Sequence, residues 1–228
     1  MGWETVAPDA ELWSAEYRIP SMKCRCTAVR LADGGFLVYS PGSGLEQAFA
    51  DACGEASVLL APNSYHHLGL PAWQQRFPGA VTAAAVGAHK RLARQGRGGL
   101  SDLEAFRGKL PPGVALLEPP GTRIGEVWLR VETRRGLVWV TGDCFFNYTR
   151  VPRRLGQRLL QRTLKSGPGL SLSQLMKWGG LSSRKRFKRW LLEQLDSAPP
   201  AVLVPVHGAI HDAPDLVQTL RDLIHRRL

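Results

Sequence analysis

The sequence contains no apolar run approaching the ~18 residues that a membrane-spanning helix needs; its longest apolar stretches, near Val81–Ala88 and Ala201–Val206, are far shorter. A spanning helix is excluded. Cysteine is also scarce. Cys24, Cys26, Cys53 and Cys144 are too few and too unevenly placed to staple a chain of 228 residues, and Cys24-Arg25-Cys26 has no second pair to complete a zinc knot. The opening Met1-Gly2-Trp3-Glu4-Thr5-Val6 has neither the charged nor the apolar region of an export signal, and Val6 stands where a myristoylation signal carries Ser or Thr. The expectation is a cytoplasmic protein with reduced thiols. A third scarcity is local: from Arg150 to Trp190 there is no acidic residue at all.

What is present suits a globule. Apolar residues make up 44% of the chain and charged residues 21%, which argues against disorder. Surface scaling at this size has roughly 70% of the unfolded chain's area buried, enough for one core without staples. We expect a single domain over residues 1–228. The net charge of +11 is concentrated: the stretch from Arg150 to Trp190 holds 12 basic residues, and the rest of the chain has 18 basic against 19 acidic. Such a stretch is either a solvated helix face or a footprint for an anionic substrate, nucleic acid or membrane surface.

Periodicity predicts strands alternating with helices. Cys24–Leu31 and Phe36–Tyr39 flank the turn Ala32-Asp33-Gly34-Gly35 as a hairpin. A helix over Leu45–Cys53, a strand over Ser57–Ala61, a helix over Pro71–Phe77, a strand over Val81–Val86 and a helix over His89–Gln95 follow. Gly113–Glu118 precedes a second hairpin, Glu126–Glu132 with Gly136–Thr141. A basic helical insert occupies about 150–195; from Ser182-Ser183 its second helix places Phe187, Trp190, Leu191 and Leu195 on one face. The strand Ala201–Val206 and a helix from Pro214 close the chain. Trp73, Trp128, Trp139, Trp178 and Trp190 fall at apolar periodic positions and are read as core, as are Cys24, Cys26 and Cys144.

Three apolar strands run straight into potential metal ligands. Ser57–Ala61 leads to Pro62-Asn63-Ser64-Tyr65-His66-His67, Leu137–Val140 to Thr141-Gly142-Asp143, and Val202–Val206 to His207-Gly208. In layered α/β folds ligands gather at the carboxyl ends of strands, so His66, His67, Asp143 and His207 can converge. Three imidazoles and a carboxylate suit one divalent ion, zinc first, while two His with one carboxylate equally suit iron or manganese. His66 and His67 are adjacent, so both reach one ion only if the backbone turns there. His89, His211 and His225 are read as surface or helix-end residues, with His211 close enough to His207 to be the alternative ligand. Asn63, Ser64, Tyr65 and Asn147 are candidates for lining the pocket or for orienting the ligands from behind.

These motifs, His66-His67-Leu68-Gly69, Thr141-Gly142-Asp143 and Val206-His207-Gly208, in this order and on these strands, resemble the metallo-β-lactamase fold superfamily. The opening hairpin, with Val29–Gly35 and Tyr39-Ser40-Pro41, is similar to a little-characterised branch of it. The resemblance implies an αββα sandwich, two mixed sheets flanked by helices, with the metal site on one edge. It also implies a reduced site. The superfamily's His-x-His-x-Asp-His motif falls on Pro62–His67, so Pro62 and Ser64 replace the first two histidines, His66 replaces the aspartate, and His67 is retained; Thr122 replaces a further histidine. What remains is a mononuclear centre of His66, His67, Asp143 and His207. The function so implied is a metal-dependent hydrolase acting on a small anionic or phosphorylated substrate, with Asp143 as ligand and proton acceptor. The alternative is a catalytically silent protein that binds an anionic partner, nucleic acid included, through its basic insert.

Overall fold

The computed structural model of the chain describes residues 2–19, 22–150, 155–163 and 166–228. Two sheets are stacked face to face. The first has six strands in sequential order, β1 (Glu4–Ala7), β2 (Leu12–Ile19), β3 (Met22–Arg30), β4 (Phe36–Tyr39), β5 (Ala56–Leu60) and β6 (Val81–Ala83). β1 to β4 pair antiparallel, and β4, β5 and β6 pair parallel. Parallel neighbours need crossovers, which α1 (Glu46–Ala52) and α2 (Leu70–Arg76) supply. β6 ends sooner than expected, because Val86 already opens α3 (Val86–Arg94); a short α4 (Glu104–Arg107) follows.

The second sheet is built around one long strand. β9 (Gly136–Tyr148) pairs antiparallel with β8 (Trp128–Thr133) and β10 (Gly169–Leu172), and parallel with β11 (Pro200–Gly208); β7 (Val114–Leu117) pairs with β8 at the edge. α5 (Leu155–Thr163), α6 (Arg184–Ser197) and α7 (Leu216–Arg227) complete the chain. The basic insert is therefore more than two helices, because β10 and a single wide helical turn at Met176–Gly180 lie between α5 and α6. Arg153, Arg154 and Lys165 fall outside the described residues.

Side-chain alternation sets the layers. Val138 and Val140 of β9, and Val202, Val204 and Val206 of β11, join a core shared with Val29, Val38 and Leu59 of the first sheet. The intervening Trp139 and Leu203 point the other way, into a second core with Phe187, Leu191, Leu195, Leu220 and Ile224 of α6 and α7. A period of two thus buries both faces of each strand, one against a sheet and the other against helices. On the opposite side Phe49 of α1 packs on Trp73 of α2 at 5.2 Å between ring centres, and Trp73 Nε1 donates to Gly42 O at 2.9 Å. The order is helices, sheet, sheet, helices, as the resemblance implied. α6 starts where expected: the Ser183 hydroxyl accepts from Arg186 N, and Phe187, Leu191 and Leu195 are buried.

Trp178 corrects the core assignment. It sits on the wide turn after β10 and is 59% exposed, whereas Trp73, Trp128 and Trp139 are fully buried. The turn does not continue into a regular helix, so spacing around Trp178 did not report which way it faces.

Candidate metal centre

β9 does not stop at Thr141, as its composition suggested; it continues past Asp143 to Tyr148 with a large irregularity. Against β11, Thr141 is paired with Pro205 and Phe146 with His207, so four residues of β9 stand opposite Val206 alone. A bulge of this kind turns side chains out of the regular alternation, and here it aims Asp143 at the sheet edge. Gly142 is required inside it: a Cβ there would lie 2.8 and 2.9 Å from the Glu126 carboxylate oxygens. Gly208 is required just after His207, at φ 104°, where a Cβ would collide with the Asn147 carbonyl. Asn147 holds that corner and does not line the pocket: Ala209 N donates to its carbonyl and its Nδ2 donates to Ala209 O.

Three of the four expected ligands meet. His66 Nε2 lies 3.0 Å, and His207 Nε2 2.8 Å, from Asp143 Oδ1. The three ligand atoms are within 4.8 Å of one another, the one such group of three or more among the described residues. His67 stands outside it. Its Nδ1 is buried without a hydrogen-bond partner, and burial, followed by the charges of Arg97, His66 and Arg91, holds its pKa below the ordinary value. His211 is also outside the group: its backbone bridges to Leu203 and its Nε2 is buried without a hydrogen-bond partner, while His89 Nε2 sits 3.0 Å from Ala84 O.

The surroundings orient each group. His66 Nδ1 is 3.2 Å from Ser40 Oγ, which also meets Tyr17 OH at 3.1 Å. Ser40 is buried in left-handed backbone, φ 56°, a conformation that costs a non-glycine residue energy and places the hydroxyl here. His207 Nδ1 is 3.7 Å from Cys24 Sγ. Asn63 Nδ2 donates to Asp143 Oδ2 at 3.0 Å and to Glu126 Oε2 at 2.8 Å, while its Oδ1 accepts from Tyr65 N at 2.8 Å. Trp128 Nε1 also donates to Glu126.

Electrostatics follow from this packing. Burial pushes the Glu126 carboxyl up to about 8, helped by the neighbouring Asp143. For Asp143 burial acts in the same direction, but the charges of and hydrogen bonds from His66 and His207 outweigh it and hold the carboxyl well below its ordinary range. Burial would lower His207; its hydrogen bonds to Asp143 and Cys24 raise it instead. Glu126, Ser40, Tyr17 and the Cys24 contact escaped sequence reasoning. Glu126 stands directly before the apolar run of β8, a place where an acid is ordinarily exposed, and Cys24 was placed correctly in the core without its contact to His207.

The site forms the floor of a cavity of about 740 Å³ whose wall includes His67, Tyr65, Ile124, Phe146, Met176 and Trp178. Cys144 is buried, as expected, and does not line it.

No family model and no curated protein matches this chain. Solved structures do. A metallo-β-lactamase from Pontibacter korlensis superposes with a TM-score of 0.67 at 12% identity, covering 99% of this chain and 99% of that one. The metallo-β-lactamase FIM-1 from Pseudomonas aeruginosa, in its mono-zinc form, gives 0.58 at 11% identity over 98% and 94%. A point mutant of a flavo di-iron protein from Thermotoga maritima gives 0.59 at 14% identity over 97% of this chain and 60% of that chain. At such identities the likeness speaks for architecture alone, and it agrees with the layer order: the chain has the metallo-β-lactamase fold.

Proposed function

We propose that this chain is a metal-dependent hydrolase whose single divalent ion is held by His66, Asp143 and His207. One observation carries the reading: three segments remote in sequence deliver two Nε2 atoms and a carboxylate oxygen to within 4.8 Å of one another on the floor of a deep cavity. The donor set fits such an ion, zinc first and iron or manganese as alternatives. Asp143 is kept ionised, its Oδ2 is taken by Asn63 so that Oδ1 faces the imidazoles, and Ser40 and Cys24 engage the outer nitrogens so that both Nε2 atoms turn inward. The mono-zinc and di-iron proteins of the same fold support these metals.

A bound divalent ion would supply a Lewis acid and a water of lowered pKa. The protein supplies the rest. Three ligands leave positions open, as catalytic sites require and closed four-ligand structural sites do not. Asp143 is the one acidic side chain lining the cavity among the described residues; to accept a proton as well as hold the ion it would have to free an oxygen from the imidazoles or from Asn63. His67 lines the cavity beside the three ligands, and its lowered pKa keeps it neutral near pH 7.

Metal analysis of protein purified without added metal tests this reading. About one equivalent is expected, lost in Asp143→Ala and His207→Ala and retained in His67→Ala. Less than a tenth of an equivalent, with none taken up on titration, would sink it. The second reading, a protein without turnover that binds an anionic partner, is favoured by the exposure of Arg184, Lys185, Arg186 and Arg189 on α6. Charge reversal at Arg184, Lys185 and Arg186 would then abolish partner binding and its salt dependence.

A further inference from the structure

The cavity wall is apolar even where the basic insert contributes to it, through Leu175, Met176 and Trp178. Among the described residues, large apolar side chains that are more than a third exposed number eight, and four of them, Tyr65, Leu68, Leu175 and Trp178, line this one cavity. Exposed apolar side chains gathered around one concavity mark a binding surface, whereas singly scattered ones do not. Below them Ile124, Phe146 and Met176 continue the apolar wall to the His/Asp/His group, and Ile19 and Met22 face in from the β2–β3 side. Among the described residues that line the cavity, Arg18 is the one with a fixed positive charge, and none of the α6 arginines or lysines reaches it; Arg91 and Arg97 stand behind the wall, Arg91 stacked on the Tyr65 ring and Arg97 bonded to the His67 carbonyl. Walls of this kind do not match a polyphosphate, which needs several donors, but they match an apolar body with one charge.

We infer that the cavity takes an amphiphile, a substrate with an alkyl or aryl body about the length of a medium acyl chain and a single negative charge directed to Arg18. For the fate of the bound molecule this inference rests on the hydrolase reading; for what binds it does not. Trp178 and Leu175, left uncovered on the wide turn, bury their side chains against the apolar body, which explains why the chain tolerates a tryptophan at 59% exposure.

Calorimetric titration of the whole chain, as purified and after chelation, with butanoate, hexanoate, octanoate and decanoate and with the matching 1-alkanols tests the inference. Each added pair of methylenes should tighten binding about 15-fold until the cavity is filled. Trp178→Ser and Leu175→Ser should each weaken decanoate binding about fivefold or more without moving the thermal midpoint. Arg18→Gln should weaken decanoate and leave 1-decanol unchanged. Affinity independent of chain length, or decanoate binding indifferent to both rim variants, overturns the apolar assignment; an Arg18→Gln variant that affects acid and alcohol alike overturns the charge assignment. Because the chain-length series is also read on metal-stripped protein, its failure leaves the metal result standing, and a protein without metal leaves the series standing.

Discussion

Asn63 is the residue on which the buried polar cluster depends, and Asn63→Ala should show it. Its amide is fully buried and makes three hydrogen bonds, to Asp143 Oδ2, to Glu126 Oε2 and from Tyr65 N. The bond to the ionised Asp143 is charge-assisted and is worth roughly 1.5–3 kcal/mol, and the two bonds to neutral partners about 1 kcal/mol each. The expected loss is therefore about 3–5 kcal/mol, less whatever a water in the vacated space restores. Asp143 also loses the contact that turns Oδ1 toward the imidazoles, and removal of such an orienting partner typically weakens metal binding about 10- to 100-fold. Urea unfolding of the metal-free protein reads the first quantity, and competition with a chelator of known affinity reads the second. A stability change under ~1 kcal/mol together with unchanged zinc affinity would refute the reasoning, because it would mean that the two carboxyl groups do not share this amide.

Three further outcomes follow from the same geometry. The Glu126 carboxyl titrates at about 8 in the fold against an ordinary 4.5, so the unfolded chain gives up its proton first; the metal-free protein should lose stability as pH rises from about 5 to 8. Glu126→Gln should flatten that slope in pH-dependent urea unfolding, and an unchanged slope would contradict the assignment. Gly142→Ala places a Cβ under 3 Å from both Glu126 oxygens and should lower stability by about 1–3 kcal/mol while also weakening metal uptake, read by calorimetry and metal titration. Ser183→Ala removes the cap of α6 and should cost about 1 kcal/mol with metal affinity untouched, so a metal defect in that variant would show that α6 is coupled to the site.

The layers were legible because burial on both faces leaves long apolar strands with turn residues between them; β5, β8, β9 and β11 all carry that pattern. β2 was not legible, since Ser14, Glu16 and Arg18 interrupt its apolar residues: Arg25 of β3 satisfies the first two, with Nη1 at 2.9 Å from Ser14 Oγ and Nη2 at 3.2 Å from Glu16. β10, Gly169–Leu172, begins with glycine and lies inside a basic stretch that reads as helical, so its short alternation carried no signal of its own. The site was half legible for a related reason. Residue types at strand ends pointed to His66, Asp143 and His207, but whether His66 or His67 joins the group is decided by the loop that carries both, and no local preference sets that direction. Glu126 could not be found by type, because an acid before a strand is ordinarily exposed; only the pairing of β8 with β9 places it under Gly142.

Charge and chemistry occupy different parts of this molecule, and that separation bears on function. A +11 chain invites an electrostatic account of ligand choice, yet the cluster that would do the chemistry is built from a neutralised carboxyl, an ionised one and imidazoles behind an apolar wall. Exposed cations on α6 act through water and are screened within about 10 Å at ordinary salt, so they raise the rate of encounter with an anion more than they fix what is held. The cavity discriminates at contact distance, where one methylene changes binding about fourfold whatever the salt. Raising salt should therefore slow association with an anionic amphiphile and leave its dependence on chain length intact. A chain-length dependence that vanished at about 0.5 M salt, where the screening length is shorter still, would place recognition on the basic surface instead.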